Sequence, residues 1–246
     1  MRWLNINNKN YVILYRKFAE IRKLGWVKSL SKSPTSIGQT FEKLIGKKSD
    51  NLPIADFLDI EIKVKKKNTY TVCLFSINPD INFSIKDFYD KYGIVDKKNF
   101  KTIYLNINSL SKINLGNFLF SVKIDKTNQQ IRLLIYDYDN NLISNNIAWS
   151  FDIIKERINL KIDKLAIVYA ESKMKQFAYY FRYYYIKFYK FKSFDQFLKL
   201  VDEGLIHVSF NISVQKNGNI YNHGICFYIS LYNIGKLYDI IEIKKD

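Results

Sequence analysis

Three neighbouring residues have the right chemistry for hydrolysis: Asp56, Glu61 and Lys63, within Ala55-Asp56-Phe57-Leu58-Asp59-Ile60-Glu61-Ile62-Lys63. Residues 59–64 alternate apolar and charged side chains, which predicts a strand. Glu61 and Lys63 then share one face, about 7 Å apart at the backbone, while Ile60 and Ile62 point into the core. Asp56 has the wrong parity for that face, so it must lean in from a turn or bend entering the strand. Two carboxylates are hard oxygen ligands that suit Mg²⁺. Such a cation acidifies a bound water and neutralises a scissile phosphate. A lysine beside it can hold the attacking water or stabilise the pentavalent phosphate. The trio therefore fits phosphodiester hydrolysis. An edge strand with a charged, solvated face would read the same way, and so lysine-rich a chain should carry about one such spacing by chance.

The surrounding elements must position these groups. Residues 11–24 read as an amphipathic helix stopped by Gly25, and 39–45 as a short helix closed by Gly46. The strand at 59–64 is followed by a second candidate at 70–75, with 65–68 as the turn of a hairpin. Residues 84–92 read as a helix capped by Ser84 and stopped by Gly93. Strands are expected at 102–108, 118–123, 131–137 and 165–170, and helices at 151–160, 174–190 and 194–203. Residues 206–215 and 220–231 flank Lys216-Asn217-Gly218-Asn219, and Asn-Gly between alternating apolar residues signals a hairpin. The order implies an α/β (α+β mixed) fold, a mixed sheet flanked by helices. Neither repeats nor a Pro- or Ser-rich linker divide the chain, which suggests two lobes in one domain.

Composition narrows the partner. Among 246 residues, Lys and Arg number 39 against 23 Asp and Glu, a net charge of +16. Such a surplus favours a polyanion, either nucleic acid or an acidic membrane. The wealth of Lys, Asn, Ile, Tyr and Phe looks like codon bias from an AT-rich genome; this explains Lys over Arg but not the scarcity of acids. Cys73, Cys226, His207 and His223 lack zinc-ligand spacing, and two scattered thiols fit a reducing cytoplasm. The first residues lack the apolar run of a signal peptide, and no apolar stretch approaches a membrane span. The expectation is a cytoplasmic protein with no membrane partner.

Further motifs surround the trio. Gly38-Gln39-Thr40-Phe41-Glu42 opens the short helix, Asn51 lies in the loop after it, and Asp56, Phe57, Ile60, Glu61, Ile62 and Lys63 follow at tight spacing. Later come Trp149-Ser150-Phe151-Asp152, Ala170-Glu171-Ser172-Lys173, and Asn222-His223-Gly224 with Phe227. In this order the motifs resemble the MvaI/BcnI family of type II restriction endonucleases, and more distantly MutH, in the PD-(D/E)xK superfamily. The resemblance runs from about Gly25 to the end of the chain. Ala55 stands where proline is usual and Asp59 where glycine is common; neither change removes a catalytic atom.

The resemblance implies a restriction-endonuclease-like core with a C-terminal DNA-recognition lobe, placed here at 1–170 and 171–246. It implies a monomer that hydrolyses double-stranded DNA at a short specific site with Mg²⁺, accompanied by a cognate DNA methyltransferase. Asp56 and Glu61 would hold the metal, Lys63 would complete the catalytic centre, and Glu42 would support metal or lysine. The C-terminal hairpin would read bases, His223 facing the major groove, with Asn211, Ser213, Gln215, Lys216, Asn217, Asn219, Asn222 and Tyr228 as further candidates. Lys173 would contact DNA, or Glu171 and Lys173 would hold the lobes together. The family's guanine-reading arginines are missing from this hairpin. A MutH-like repair nickase and a non-catalytic DNA-binding module are the competing readings. Structural roles are expected for Trp149 and His207, and for most tyrosines of 174–191, whose cations remain open to phosphate contact.

Overall fold

The computed structural model describes residues 9–33, 36–47, 54–96, 99–214 and 219–243. The elements begin α1 (Lys9–Lys23), β1 (Val27–Lys28), α2 (Ile37–Leu44), β2 (Glu61–Lys66), β3 (Thr71–Ser76), α3 (Ile85–Tyr92), β4 (Ile94–Val95) and β5 (Lys101–Ile107). Then follow β6 (Ile113–Leu115), β7 (Phe118–Asp125), β8 (Gln130–Tyr136), β9 (Leu142–Ser144), β10 (Ala148–Ser150) and α4 (Phe151–Arg157), which runs on as a π-helical turn, Ile158–Ile162. The last are β11 (Lys164–Lys175), β12 (Ala178–Phe191), α5 (Phe194–Asp202), β13 (Ile206–Val214), β14 (Ile220–Ser230), α6 (Ile234–Leu237) and β15 (Tyr238–Ile241). The fold is mixed α/β.

Two compact units emerge, both discontinuous in sequence. The first gathers Met1–Tyr70, Asn159–Lys192 and Tyr238–Asp246; the second gathers Thr71–Ile158 and Ser193–Leu237. This differs from the single division expected at 170, and the register shows why. Residue 170 lies inside β11, whose pairing with β2 and β12 binds its two halves into one sheet.

The first unit is built on a sheet of order β1-β12-β11-β2, with β15 also on β12. β2 runs parallel to β11, with Glu61 opposite Leu165 and Lys63 opposite Ile167. α1 buries Tyr11, Leu14, Phe18 and Ile21, a single apolar stripe. That stripe packs with Phe41 of α2 against Ile62, Ala166, Val168, Ala170 and Phe181. Alternation along β2 and β11 thus commits one face of the sheet to the helices, leaving Glu61 and Lys63 on the other.

The second unit holds two sheets, β10-β8-β7-β6 with β9 on β8, and β3-β14-β13-β5-β4. Its core is aromatic: Phe88 stacks on Phe210 at 5.2 Å, and the Trp149 ring meets Phe227 at 5.5 Å. Trp149 is fully buried, its indole N–H donating to the Ile77 carbonyl at 3.1 Å. Ser84 accepts from the Asp87 N–H to cap α3, and Gly93 ends it, as the sequence predicts.

Two expectations are corrected. β2 and β3 form no hairpin: β2 pairs with β11, and β3 pairs antiparallel with β14 in the other unit. The segment 174–190 is not a helix, because β11 runs on to Lys175 and β12 occupies Ala178–Phe191. Nine of β12's fourteen residues are aromatic, and such rings fit a pleated surface better than a helix. Gln176 and Phe177, at φ 47° and 59°, make the reversal.

Candidate active site and DNA-reading residues

Asp56 reaches the site through a tight turn. Phe57 and Ile60 exchange backbone hydrogen bonds of 3.0 and 2.9 Å around Leu58, which sits at φ 56°. The chain reverses just before β2, so Asp56 lies back along the strand and its Oδ2 accepts the Ile62 N–H at 2.9 Å. β2 is the terminal strand of its sheet, which leaves that N–H available. The parity problem is thereby solved as expected. Asp59, the departure from the family pattern, fastens the same turn: it pairs with Lys164 and accepts from Asn10 Nδ2 at 2.9 Å.

Glu61 is 1% exposed. Its Oε1 accepts from Lys63 Nζ at 2.5 Å, the i, i+2 contact that the strand dictates, and lies 3.4 Å from Lys161 Nζ. Its Oε2 is buried without a hydrogen-bond partner. Burial raises the Glu61 carboxyl above the usual carboxylate range; Asp56 adds to this, while Lys63 and Lys161 oppose it. Burial also works to raise Asp56, but the Lys47 hydrogen bond at 2.5 Å and the Ile62 N–H outweigh it and hold this carboxyl below the usual range. Glu42 is raised by burial and then by Asp56, with Lys47, Lys63 and Lys161 pulling the other way.

The structure therefore gathers Glu42, Asp56, Glu61 and Lys63 in one electrostatic cluster and adds two lysines that the sequence reading missed. Lys47 belongs to the stretch after α2 and carried no spacing signal. Lys161 lies about a hundred residues beyond Glu61 in the sequence and arrives only because β11 pairs with β2.

Two buried or half-buried carboxylates with one orphaned oxygen form a hard donor set. Among the described residues no three His, Cys, Asp or Glu side chains gather as a metal cage. The pair of carboxylates, Asp56 and Glu61, is itself a donor set that suits a hard divalent cation completing its shell with water and substrate oxygens.

The hairpin candidates divide. Gln215, Lys216 and Asn217 lie outside the described residues. Ser213 Oγ and His223 Nε2 are 3.0 Å apart, and the Tyr221 ring meets His223 edge-on at 4.5 Å. Asn211 Oδ1 is a buried acceptor without a partner. Asn219 is exposed. Asn222 is engaged at both ends, donating to Asn78 and accepting from the Gly224 N–H. Tyr228 stacks on His207 at 5.7 Å, six residues along β14 from Asn222. Lys173 belongs to the first unit, its Nζ 4.1 Å from the Trp26 ring centroid, while Glu171 is paired with Arg182 at 2.6 Å. No helix among the described residues is long and apolar enough to cross a membrane.

Comparison with known proteins identifies the family and the fold. A family model described as the MvaI/BcnI restriction endonuclease family matches residues 15–238. Restriction endonuclease MvaI, solved in complex with its cognate DNA substrate, superposes with a TM-score of 0.87 at 25% identity, covering 96% of this chain and 98% of that one. MvaI without DNA gives a TM-score of 0.60 at 24% identity with the same coverage. No curated protein matches the chain.

Proposed function

Because the chain belongs to the MvaI/BcnI restriction endonuclease family, and so is a type II, site-specific deoxyribonuclease, we propose that it cuts double-stranded DNA with Mg²⁺ at a centre formed by Asp56, Glu61 and Lys63. Restriction endonucleases of this family generally use a divalent metal. The observation that carries the residue assignment is the buried, unpartnered Oε2 of Glu61 beside an ionised Asp56.

Asp56 and Glu61 would hold the cation, which when bound acidifies water and neutralises phosphate charge. The chain's own groups do the rest. The Ile62 N–H fixes the Asp56 carboxylate through Oδ2, so its orientation is set before substrate arrives, and Lys47 occupies Oδ1 until a cation takes that oxygen. Lys63, tethered to Glu61, is placed to hold the attacking water or to stabilise the phosphorane oxygens. Lys161 adds positive charge on the same carboxylate and offsets the loss of water around it. Glu42 balances the lysines.

The β13–β14 hairpin would supply base contacts, with Ser213, Asn219 and His223 as candidate readers beside Gln215, Lys216 and Asn217, while the buried Asn211 Oδ1 supports the strand from within. Lys173 contacts phosphate in the first unit. A protein that cuts a short site would also cut its host genome, so a cognate DNA methyltransferase is expected alongside it, and the setting is the cytoplasm.

The test is plasmid cleavage with Mg²⁺ or chelator, using wild type and Asp56→Ala, Glu61→Ala and Lys63→Ala. Each variant should lose cleavage, while binding to target DNA in Ca²⁺ survives, because affinity comes mostly from phosphate contacts elsewhere. Full activity in Asp56→Ala would sink the assignment.

A further inference from the structure

We propose that the β11–β12 hairpin is a DNA-gripping arm, with Lys28, Lys173 and Lys175 on phosphates and Phe177 inserted as an apolar wedge into a groove of the duplex. The inference rests on the reading that this chain binds double-stranded DNA.

Register carries the first part. Residues paired across strands point to the same face of a sheet. Glu61 and Lys63 stand opposite Leu165 and Ile167. Counting by twos along β11 from these leads to Glu171, Lys173 and Lys175. Tyr180 of β12 stands between Lys173 on one side and Lys28 on the other, and Arg182 stands opposite Glu171. The alternate residues Ala166, Val168, Ala170 and Phe181 are in the helix-covered core. The catalytic candidates and the hairpin cations therefore share the face opposite α1 and α2, which is buried at Glu61, Leu165 and Ile167 and opens to solvent at Lys173 and Lys175. Glu171 is matched by Arg182, so Lys28, Lys173 and Lys175 remain as surplus positive charge. From Leu165, beside Glu61, the strand reaches the turn after about 35 Å, close to one turn of B-DNA. A duplex lying over the carboxylates can thus meet the hairpin on its backbone.

The tip carries the second part. Phe177 is 90% exposed and Met174 is 67% exposed. Both central residues of the turn, Gln176 and Phe177, hold positive φ. Such turns favour Asn-Gly, and a bulky side chain there is strained. Among the described residues the Phe177 ring stays 90% exposed, so its own burial does not offset that strain. Strain kept at an exposed apolar residue points to contact outside the chain. Surrounded by lysines on the substrate-facing side of a nuclease, that contact is duplex DNA. Phe is among the side chains that proteins wedge between base steps from the minor groove.

The experiment uses the full chain, Ca²⁺ and a random-sequence duplex of about 40 base pairs, long enough to span the arm. Phe177→Asn relieves the backbone, since Asn tolerates the left-handed region. Its Tm should equal or exceed that of wild type, while its Kd for the duplex weakens roughly tenfold. Lys173→Ala with Lys175→Ala should lower the slope of log K against log salt by about 1–2. Wild-type-like affinity in Phe177→Asn overturns the arm, as does a Tm loss of several degrees that accounts for the weaker binding. If wild type itself fails to bind any duplex, the underlying DNA reading falls and takes the arm with it; binding by wild type with Phe177→Asn unchanged sinks the arm alone.

Discussion

Lys47 Nζ lies 2.5 Å from Asp56 Oδ1, on the oxygen left over once the Ile62 N–H has taken Oδ2. A cation approaching this carboxylate meets a lysine already in place. Lys47→Met should therefore tighten divalent-cation binding at pH 8, read by calorimetry with Ca²⁺. The same change removes one of the three groups holding the Asp56 carboxyl low, leaving the Ile62 N–H and Lys63 against burial, which raises it. The acidic limb of metal binding should then move to higher pH. Weaker binding at pH 8 would show that Lys47 supports the site instead of competing for it.

Glu61 is strained electrostatically, and the sign can be followed through. Burial raises its folded pKa above the unfolded value of about 4.3. Its favourable contribution is fully present below the unfolded pKa and is lost as pH rises through the folded one. At neutral pH the carboxylate is a liability. In chelator, Glu61→Gln should melt at or above the wild-type Tm at pH 7.5, and the difference should close near pH 4. At this chain size a gain of 1 kcal/mol is worth about 2–4 °C. Added Mg²⁺ should stabilise wild type and leave Glu61→Gln unmoved; a variant that gains equally would place the metal elsewhere.

The β13–β14 hairpin contains no arginine, the residue whose fork best meets guanine O6 and N7. Its polar candidates are Ser213, Gln215, Lys216, Asn217, Asn219 and His223, in which Asn and Gln, the adenine readers, outnumber the one lysine. The recognition site should therefore be rich in A·T pairs. His223→Ala should relax one position by about 1–3 kcal/mol of discrimination. Run-off sequencing of plasmid ends checks both, and a site made mainly of G·C pairs would place the guanine readers outside this hairpin.

One cluster around Asp56 and Glu61 implies one cut per binding event. Supercoiled plasmid should pass through nicked circles before linear product appears, and sedimentation should give a monomer. A dimer that yields linear DNA directly would contradict this.

The chemistry was legible because it is local. Asp56, Glu61 and Lys63 lie within eight residues, and strand parity alone brings Glu61 and Lys63 together. Helix ends were legible for the same reason: Ser84 and Gly93 act within one turn of their own backbone. What escaped depends on distant pairing. Lys161 has meaning only once β11 lies beside β2, and β2 and β3 look like a hairpin until their true partners are known. Residues 174–190 form strands because the bulk of their rings favours a pleated surface over a helical one.

The parallel pairing of β2 with β11 also sets a clock. The catalytic strand is translated early, but its sheet partner begins a hundred residues later. At about 5–20 residues per second, the ribosome needs roughly 5–20 s to supply it. Until then Lys161 has no route to Glu61, and the buried carboxylate has no burial. A growing polypeptide that already carries all three catalytic side chains should therefore be inert toward the chromosome, and nuclease activity should switch on only near the end of synthesis.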